Sequence, residues 1–325
     1  MKNILLGVAA VLFLFFSGNG AKAYTVDDLG NIEVQGNFDM GPMSVSLTAD
    51  PGDSFTEEIR VLNRSGKSKE YLVELEDFEG SHQVDQPVSL QGNTSGRFSA
   101  KDWVKPEFTH FSLKHGERMT FNVDVAIPAG ADIGDHYVSI LISTPAEDND
   151  GMSNKDEKKA NVAVISRVGS LFFVRVNGET KESGELKSFS ADRKWYEKLP
   201  VNFSLAFENS GNVRLQPSGS IEIKNQFGTP METIEIEPFN ALRDSLRGMN
   251  FAWDKPGFLL GRYTAVLNLK NGYNDTVDTK SISFWIIPWK QLALGACAFI
   301  VVILLLVMMK KTFSFNINVK KKKKR

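Results

Sequence analysis

Between Tyr24 and Ile287 run after run of the chain places apolar residues at every second position, and that period constrains the fold more than any other feature of the chain. Phe121, Val123, Val125 and Ile127 alternate with Thr120, Asn122, Asp124 and Ala126. Val201, Phe203, Leu205 and Phe207 alternate with Asn202, Ser204, Ala206 and Glu208. Residues i and i+2 share a face in a strand and not in a helix, so each run predicts a half-buried antiparallel strand. Shorter runs of the same kind occur at Ile59/Val61, Tyr71/Val73/Leu75, Ile221/Ile223, Ile234/Ile236 and Tyr263/Ala265/Leu267/Leu269. No comparable helical stripe precedes the C-terminal apolar run.

Turn-forming residues fall between the runs: Asp50-Pro-Gly-Asp53, Arg64-Ser-Gly66, Pro128-Ala-Gly130, Ser210-Gly-Asn212, Pro217-Ser-Gly219 and Asn271-Gly272. Many short strands with this punctuation predict sandwiches. The halves also echo one another. Asn63-Arg-Ser-Gly66 between strands is answered by Asn209-Ser-Gly211, and Gly134-Asp-His-Tyr137 after Pro128 is answered by Gly261-Arg-Tyr263 after Pro256. The expected fold is all-β: two tandem immunoglobulin-like β-sandwiches, followed by one transmembrane helix.

The two ends carry different apolar signals. Lys2, the apolar stretch Ile4 to Phe16 and Ala21-Lys-Ala23 have the order of a cleavable secretory signal, too short to span a bilayer. From Leu292 to Met309 run 18 residues without a charge, 11 of them Leu, Ile, Val or Phe. At ~1.5 Å per residue such a helix matches the hydrocarbon thickness. Trp285 and Trp289 precede it and Lys310 and Lys311 follow it, as interfacial anchors would, and the basic tail predicts a cytoplasmic C-terminus. The chain thus divides into a signal peptide (1–23), a first sandwich (24–178), a second sandwich (179–287), a membrane helix (288–309) and a basic tail (310–325). The expected location is a bacterial cytoplasmic membrane with the N-terminal ectodomain outside.

The overall formal charge of −1 hides an asymmetry. Residues 24–290 hold 28 Lys and Arg against all 39 Asp and Glu, a net of −11. That balance disfavours nucleic acid as a partner. The only cysteine, Cys297, lies in the apolar run, so the ectodomain must fold without disulfides on its cores alone. Residues 146–159 (AEDNDGMSNKDEKK) have no apolar period and read as a long exposed loop.

Catalytic constellations are not found. His82, His110, His115 and His136 show no paired metal-ligand spacing, and no Gly-x-Ser-x-Gly elbow occurs. Gly66-Lys-Ser68 lacks the first glycine of a phosphate loop, and Asp148-Asn-Asp-Gly151 fails the register of a calcium loop. The chain therefore reads as non-enzymatic, with no cofactor or metal. In the segment Trp103–Gly116, aromatic and polar groups mix as in sugar-stacking surfaces, making Trp103, His110 and Lys114 candidate ligand contacts. Gly134 with Tyr137, and Gly261 with Tyr263, have the order of a tyrosine corner, in which a phenol hydroxyl ties back to nearby backbone.

Several motifs in order carry a family resemblance: Pro51-Gly-Asp-Ser-Phe55, Trp103-Val104, Phe111-Ser-Leu-Lys-His-Gly-Glu117, Ile127-Pro-Ala-Gly-Ala-Asp-Ile-Gly-Asp-His-Tyr137 and Val168-Gly-Ser-Leu-Phe-Phe-Val-Arg-Val-Asn-Gly-Glu179. Over about Ser44 to Glu179 the chain resembles the bacterial WxL-interacting surface proteins. It contains no Trp-x-Leu of its own, as befits the interacting partner. The resemblance implies a peptidoglycan-binding type of first domain. The second half, through Phe284-Trp-Ile-Ile-Pro-Trp-Lys290, is similar to the sandwich that follows in related membrane-anchored surface proteins, and departs from the host-binding second domain of better-described members. The expected function is adhesion or scaffolding through cell-wall polymer (peptidoglycan) or another surface protein. The alternative is a chaperone-like assembly module that pairs with a partner's strand at a sheet edge.

Overall fold

The structure is a computed structural model that describes residues 24–145 and 166–312. The expected signal peptide, the acidic loop at 146–159 and the tail beyond 312 lie outside the described residues. In chain order the first sandwich is built from β1 (Tyr24–Asp28), β2 (Phe38–Gly41), β3 (Ser44–Ala49), β4 (Ser54–Asn63), β5 (Lys69–Glu76), β6 (Phe78–Gly80), β7 (Val88–Leu90), β8 (Val104–Pro106), β9 (His110–Leu113), β10 (Glu117–Ala126), β11 (Gly134–Ser143) and β12 (Arg167–Val176). The second is built from β13 (Gly184–Ala191), β14 (Trp195–Tyr196), β15 (Val201–Asn209), β16 (Ser218–Asn225), β17 (Pro230–Ile236), β18 (Ser245–Trp253), β19 (Gly261–Lys270) and β20 (Val277–Ile286). One helix, α1 (Trp289–Thr312), follows. The all-β expectation holds, with an apolar helix at its end.

In the first sandwich one sheet runs β1-β10-β4-β2, with β8 also on β10, and faces a second sheet β3-β12-β11-β5-β9. In the second sandwich a three-stranded sheet β13-β15-β18 faces β14-β20-β19-β16-β17. All pairings are antiparallel except β3 with β12 and β14 with β20. The alternating runs point where their period requires: Phe121, Val123, Val125 and Ile127 fill one core with Ile59, Tyr71, Ile140 and Phe172. Val201, Phe203, Leu205 and Phe207 fill the other with Trp253, Tyr263, Leu267 and Phe284.

The sequence echo has a physical counterpart in two fully buried asparagines. Asn63 donates from Nδ2 to the carbonyls of Lys67 and Leu113, both at 2.8 Å, and its Oδ1 accepts the Ser65 N–H at 2.9 Å. Asn209 repeats the pattern, donating to Val213 and Ala241 at 2.8 and 2.9 Å and accepting from Gly211 at 2.9 Å. Each side chain closes the turn after its strand and satisfies two carbonyls from which water is excluded.

One strand departs from simple alternation. Every residue of β11 is buried, on both faces. Its inner face joins the first core. Its outer face is covered by a third cluster of Phe78, Tyr137, Phe173 and Leu242, which fuses the two sandwiches. Phe78 belongs to the β6–β7 hairpin and Leu242 to the second sandwich, so the cluster joins three parts of the chain.

Replacing Asn209 by Ala removes three buried hydrogen bonds, although the Ala241 carbonyl keeps the Leu215 N–H at 3.0 Å, so Asn209→Ala is expected to lower stability by about 3 kcal/mol. Asn209→Asp, which keeps the acceptor and loses both donors, is expected to be no milder. Calorimetric unfolding of the two variants beside the parent checks both; an unchanged melting temperature refutes the role.

Candidate functional site: a locked domain junction and an open sheet edge

The junction is organised around Asp135, whose side chain is 3% exposed. Arg175 grips its carboxylate with two bonds, Nε to Oδ1 at 2.7 Å and Nη2 to Oδ2 at 3.2 Å. The backbone N–H of Arg214, in the second sandwich, donates to Oδ2 at 2.5 Å. Asp135 also donates its own N–H to the Asn212 carbonyl at 2.9 Å, and its carbonyl accepts Nη1 of Arg243 at 3.0 Å. Arg175 reaches on to the Arg214 carbonyl at 3.0 Å. The bond to Asp135 raises the Arg175 pKa above its ordinary value, although burial works against it. The desolvated guanidinium of Arg214 lies over Phe173, 4.5 Å from its centroid, and that of Arg243 lies over Phe98 at 3.7 Å. A charge-assisted network with the partners' backbones inside it fixes the two sandwiches as one unit.

Tyr137 lies within this junction rather than at a corner of its own sandwich. Its hydroxyl accepts the N–H of Arg243 at 3.0 Å, 106 residues away, and its ring stacks on Phe78 at 5.2 Å. Burial and the Asp135 carboxylate push its pKa well above the usual phenol range. Gly134 is needed for the same contact: a Cβ there would sit 2.3 Å from the Asn212 carbonyl oxygen, and its φ is +114°. Tyr263 is buried in the second core against Trp253 and Phe284, with Gly261 at φ +120° where β19 begins.

The candidate ligand contacts are dispersed. Trp103 lies in a 3-10 turn and packs on the first core, its ring 4.4 Å from that of His136. His110 is exposed on the edge strand β9, and Lys114 follows in the turn, 3.5 Å from Glu117. No described contact joins Trp103 to either. Trp285 and Trp289 are exposed at the foot of the second sandwich, and Lys310 and Lys311 lie in the last turn of α1. Among the described residues no cluster of three or more His, Cys, Asp or Glu is placed to hold a metal. Sequence reading passed over residues 77–100; Phe78 and Phe98, two aromatics bracketing a polar stretch, were the available signal.

An unfilled strand position lies on β4. That strand has ten residues, and β10 pairs with nine of them, Ser54 to Leu62. On the other side β2 pairs only with Arg60 to Asn63, after which the chain turns at Pro42 and crosses to the opposite sheet as β3. Proline has no N–H with which to continue a ladder. The bonds Arg64 N–H to Asn37 O and Ile127 N–H to Asp53 O set the phase. Odd-numbered residues of β4 bond to β10 and even-numbered ones face the β2 side. Ser54, Thr56 and Glu58 therefore direct N–H and C=O groups into an open lane, with their side chains exposed. The lane opens onto a depression of about 600 Å³ lined by Gly41, Pro42, Thr56, Glu57, Glu58 and Arg60. Glu58 is paired with Arg60 at 3.3 Å.

No family model matches the chain, and no curated protein matches it. Solved structures do match. The class 5 fimbriae chaperone CfaA is 12% identical, with a TM-score of 0.35, covering 77% of this chain and all of its own. The E. coli chaperone DraB is 12% identical, with a TM-score of 0.33, over 77% of this chain and 97% of its own. The CsuC–CsuE chaperone–tip adhesion subunit pre-assembly complex of Acinetobacter baumannii matches at 10% identity and a TM-score of 0.35, over 77% of this chain. With likeness at this level, the reading of the site rests on its own geometry.

Removing the charge at the junction leaves Arg175 without its buried counter-ion, so Asp135→Asn is expected to cost about 3 kcal/mol, read by calorimetry. A pH dependence follows from His136. Burial lowers its pKa and Arg243 lowers it further, against the Asp132 carbonyl, which its Nε2 meets at 2.8 Å. The unfolded chain, with a histidine near ~6.5, takes up the proton first as pH falls. Stability is therefore held above that pH and lost below it. His136→Gln is expected to flatten the fall in melting temperature between pH 7.5 and pH 5.

Proposed function

We propose that this chain is a membrane-anchored, non-enzymatic assembly module of a bacterial envelope, which holds an extended segment of another surface protein by strand addition. The observation that carries this reading is the open lane on β4, where Ser54, Thr56 and Glu58 present three outward N–H and C=O pairs with no strand opposite among the described residues. A native sheet rarely leaves such a template uncovered, and a segment of about five residues would complete it. The locked junction supports the reading, because a rigid pair of sandwiches presents the edge in one orientation. So do the signal-like N-terminus and the basic tail, which direct the sandwiches to the outer side of the membrane. Polymer contact has less support: in the segment proposed for it, Trp103, Phe111 and Leu113 are engaged in packing on the first core.

A photo-crosslinking residue in place of Thr56, in the full chain in intact cells, is expected to give one discrete polypeptide adduct. Thr56→Pro, in a chain with the crosslinker moved to Ser54, removes the central outward N–H without touching the β10 ladder. It is expected to reduce the adduct at least about tenfold, the loss of one or two hydrogen bonds. No polypeptide adduct at either position sinks the reading.

A further inference from the structure

Of the six exposed large apolar side chains in the second sandwich, all but Val277 lie at one end, the end from which α1 departs. Phe227 is 82% exposed at the tip of the β16–β17 turn, Phe258 is 63% exposed in the loop before β19, and Trp195 is 59% exposed on β14. Leu260, Trp285 and Trp289 are exposed as well. Register places them together. Gly261 pairs with Ile286, so Leu260 lies where β20 ends, and Asn225 pairs with Tyr263, so the turn holding Phe227 borders the same end of the sheet. Trp195 pairs with Trp285 and stacks on it, with centroids 5.5 Å apart and planes at 15°.

The helix leaves through the middle of this group. A depression lined by Glu197, Leu199, Lys255, Leu259, Pro288 and Gln291 shows that the loops bearing Lys198 and Phe258 flank the first turn of α1. Glu197 accepts the Trp289 indole N–H at 3.2 Å and pairs with Lys290 at 2.8 Å, tying the helix start to the sandwich. Of α1, Trp289–Lys310 is apolar and long enough to cross a membrane, with a mean hydropathy of 3.0. Exposed Arg193, Lys194 and Lys198 flank Trp195 in the chain, with Asp192 and Glu197 among them. The opposite end of the sheet, between Lys270 and Val277, is a mostly polar turn of Asn271, Gly272, Asn274, Asp275 and Thr276, whose Tyr273 is tied to Gly184 through its hydroxyl.

Exposed aromatic tips at the mouth of a spanning helix, with lysines beside Trp195, match the chemistry of the bilayer interface, where indole and phenyl rings enter the headgroup region and lysines meet lipid phosphates. We infer that the second sandwich docks on the outer leaflet, with Phe227, Phe258 and the Trp195–Trp285 pair inserted between headgroups, so that it stands at a set angle on the membrane instead of swinging on a tether. The occupant is the lipid surface itself, because the patch is continuous with the segment that enters it. This inference uses the opposite kind of surface from the β4 lane and stands independently of it.

The test uses the full chain in vesicles of phosphatidylcholine and phosphatidylglycerol. Cys297 is the only cysteine, so a Cys297→Ala background accepts single probes at Phe227→Cys, Phe258→Cys and Val277→Cys, labelled with a small fluorophore. Val277 is an exposed apolar residue of the same sheet, nine residues from Ile286 and therefore roughly 30 Å up the strand. Quenching by lipids with a nitroxide near the headgroup is expected to be at least about threefold stronger at 227 and 258 than at 277, as for groups ~5–10 Å into the interface. A water-soluble quencher is expected to show the reverse order. Equal quenching at all three sites, or strong quenching at only one of the two tips, overturns the inference. The two aromatic positions are exposed, so cysteine there leaves the fold intact; an unchanged far-ultraviolet circular dichroism spectrum verifies it.

Discussion

One buried carboxylate sets how the two described sandwiches sit against one another. Asp135 lies on a strand buried on both faces and takes bonds from Arg175 of its own sandwich and from Arg214 of the next, while Arg243 reaches its carbonyl. A lone carboxylate in that position would be heavily penalised by desolvation, and three guanidinium groups around it would repel one another without it. The pieces are tolerable only together, so the two sandwiches cannot separate without exposing the cluster of Phe78, Tyr137, Phe173 and Leu242 and stranding these charges.

That constraint gives meaning to the two ends of the molecule. A free sheet edge on a flexibly hung domain would sample many orientations, and a partner would have to restrict them when it bound. Here the junction has already removed that freedom between the sandwiches, and the bonds from Glu197 to Trp289 and Lys290 extend the restraint to the start of the helix. The open lane on β4 and the exposed aromatics beside α1 are thus parts of one continuous support, the first available to the proposed protein segment and the second to the proposed lipid surface.

Much of the core was legible from residue order, because a strand's period of two writes its buried face directly into the chain: Phe121 to Ile127 and Val201 to Phe207 are buried as their alternation requires. The repeated Asn-Ser-Gly turns were also visible, though not the reason for them, which is the pair of cross-turn bonds each asparagine makes. Tyr137 shows where such reading fails. Its neighbours suggest a local corner, yet its hydroxyl is satisfied by a backbone N–H 106 residues away. Residues 77–100 carry no period because the hairpin they form packs on one side only, through single aromatics.

By itself the amino-acid sequence determined the strand content, the two-module plan, the apolar helix and the lack of disulfides, since each follows from local periodicity, composition or the position of a single residue. Tertiary structure decided which strands lie side by side, hence where β4 is left without a neighbour along part of its length, and which charges from distant segments converge on Asp135. Those outcomes depend on pairings between residues far apart in the chain, and nothing local encodes whether a backbone group that faces outward will meet a partner or be left open.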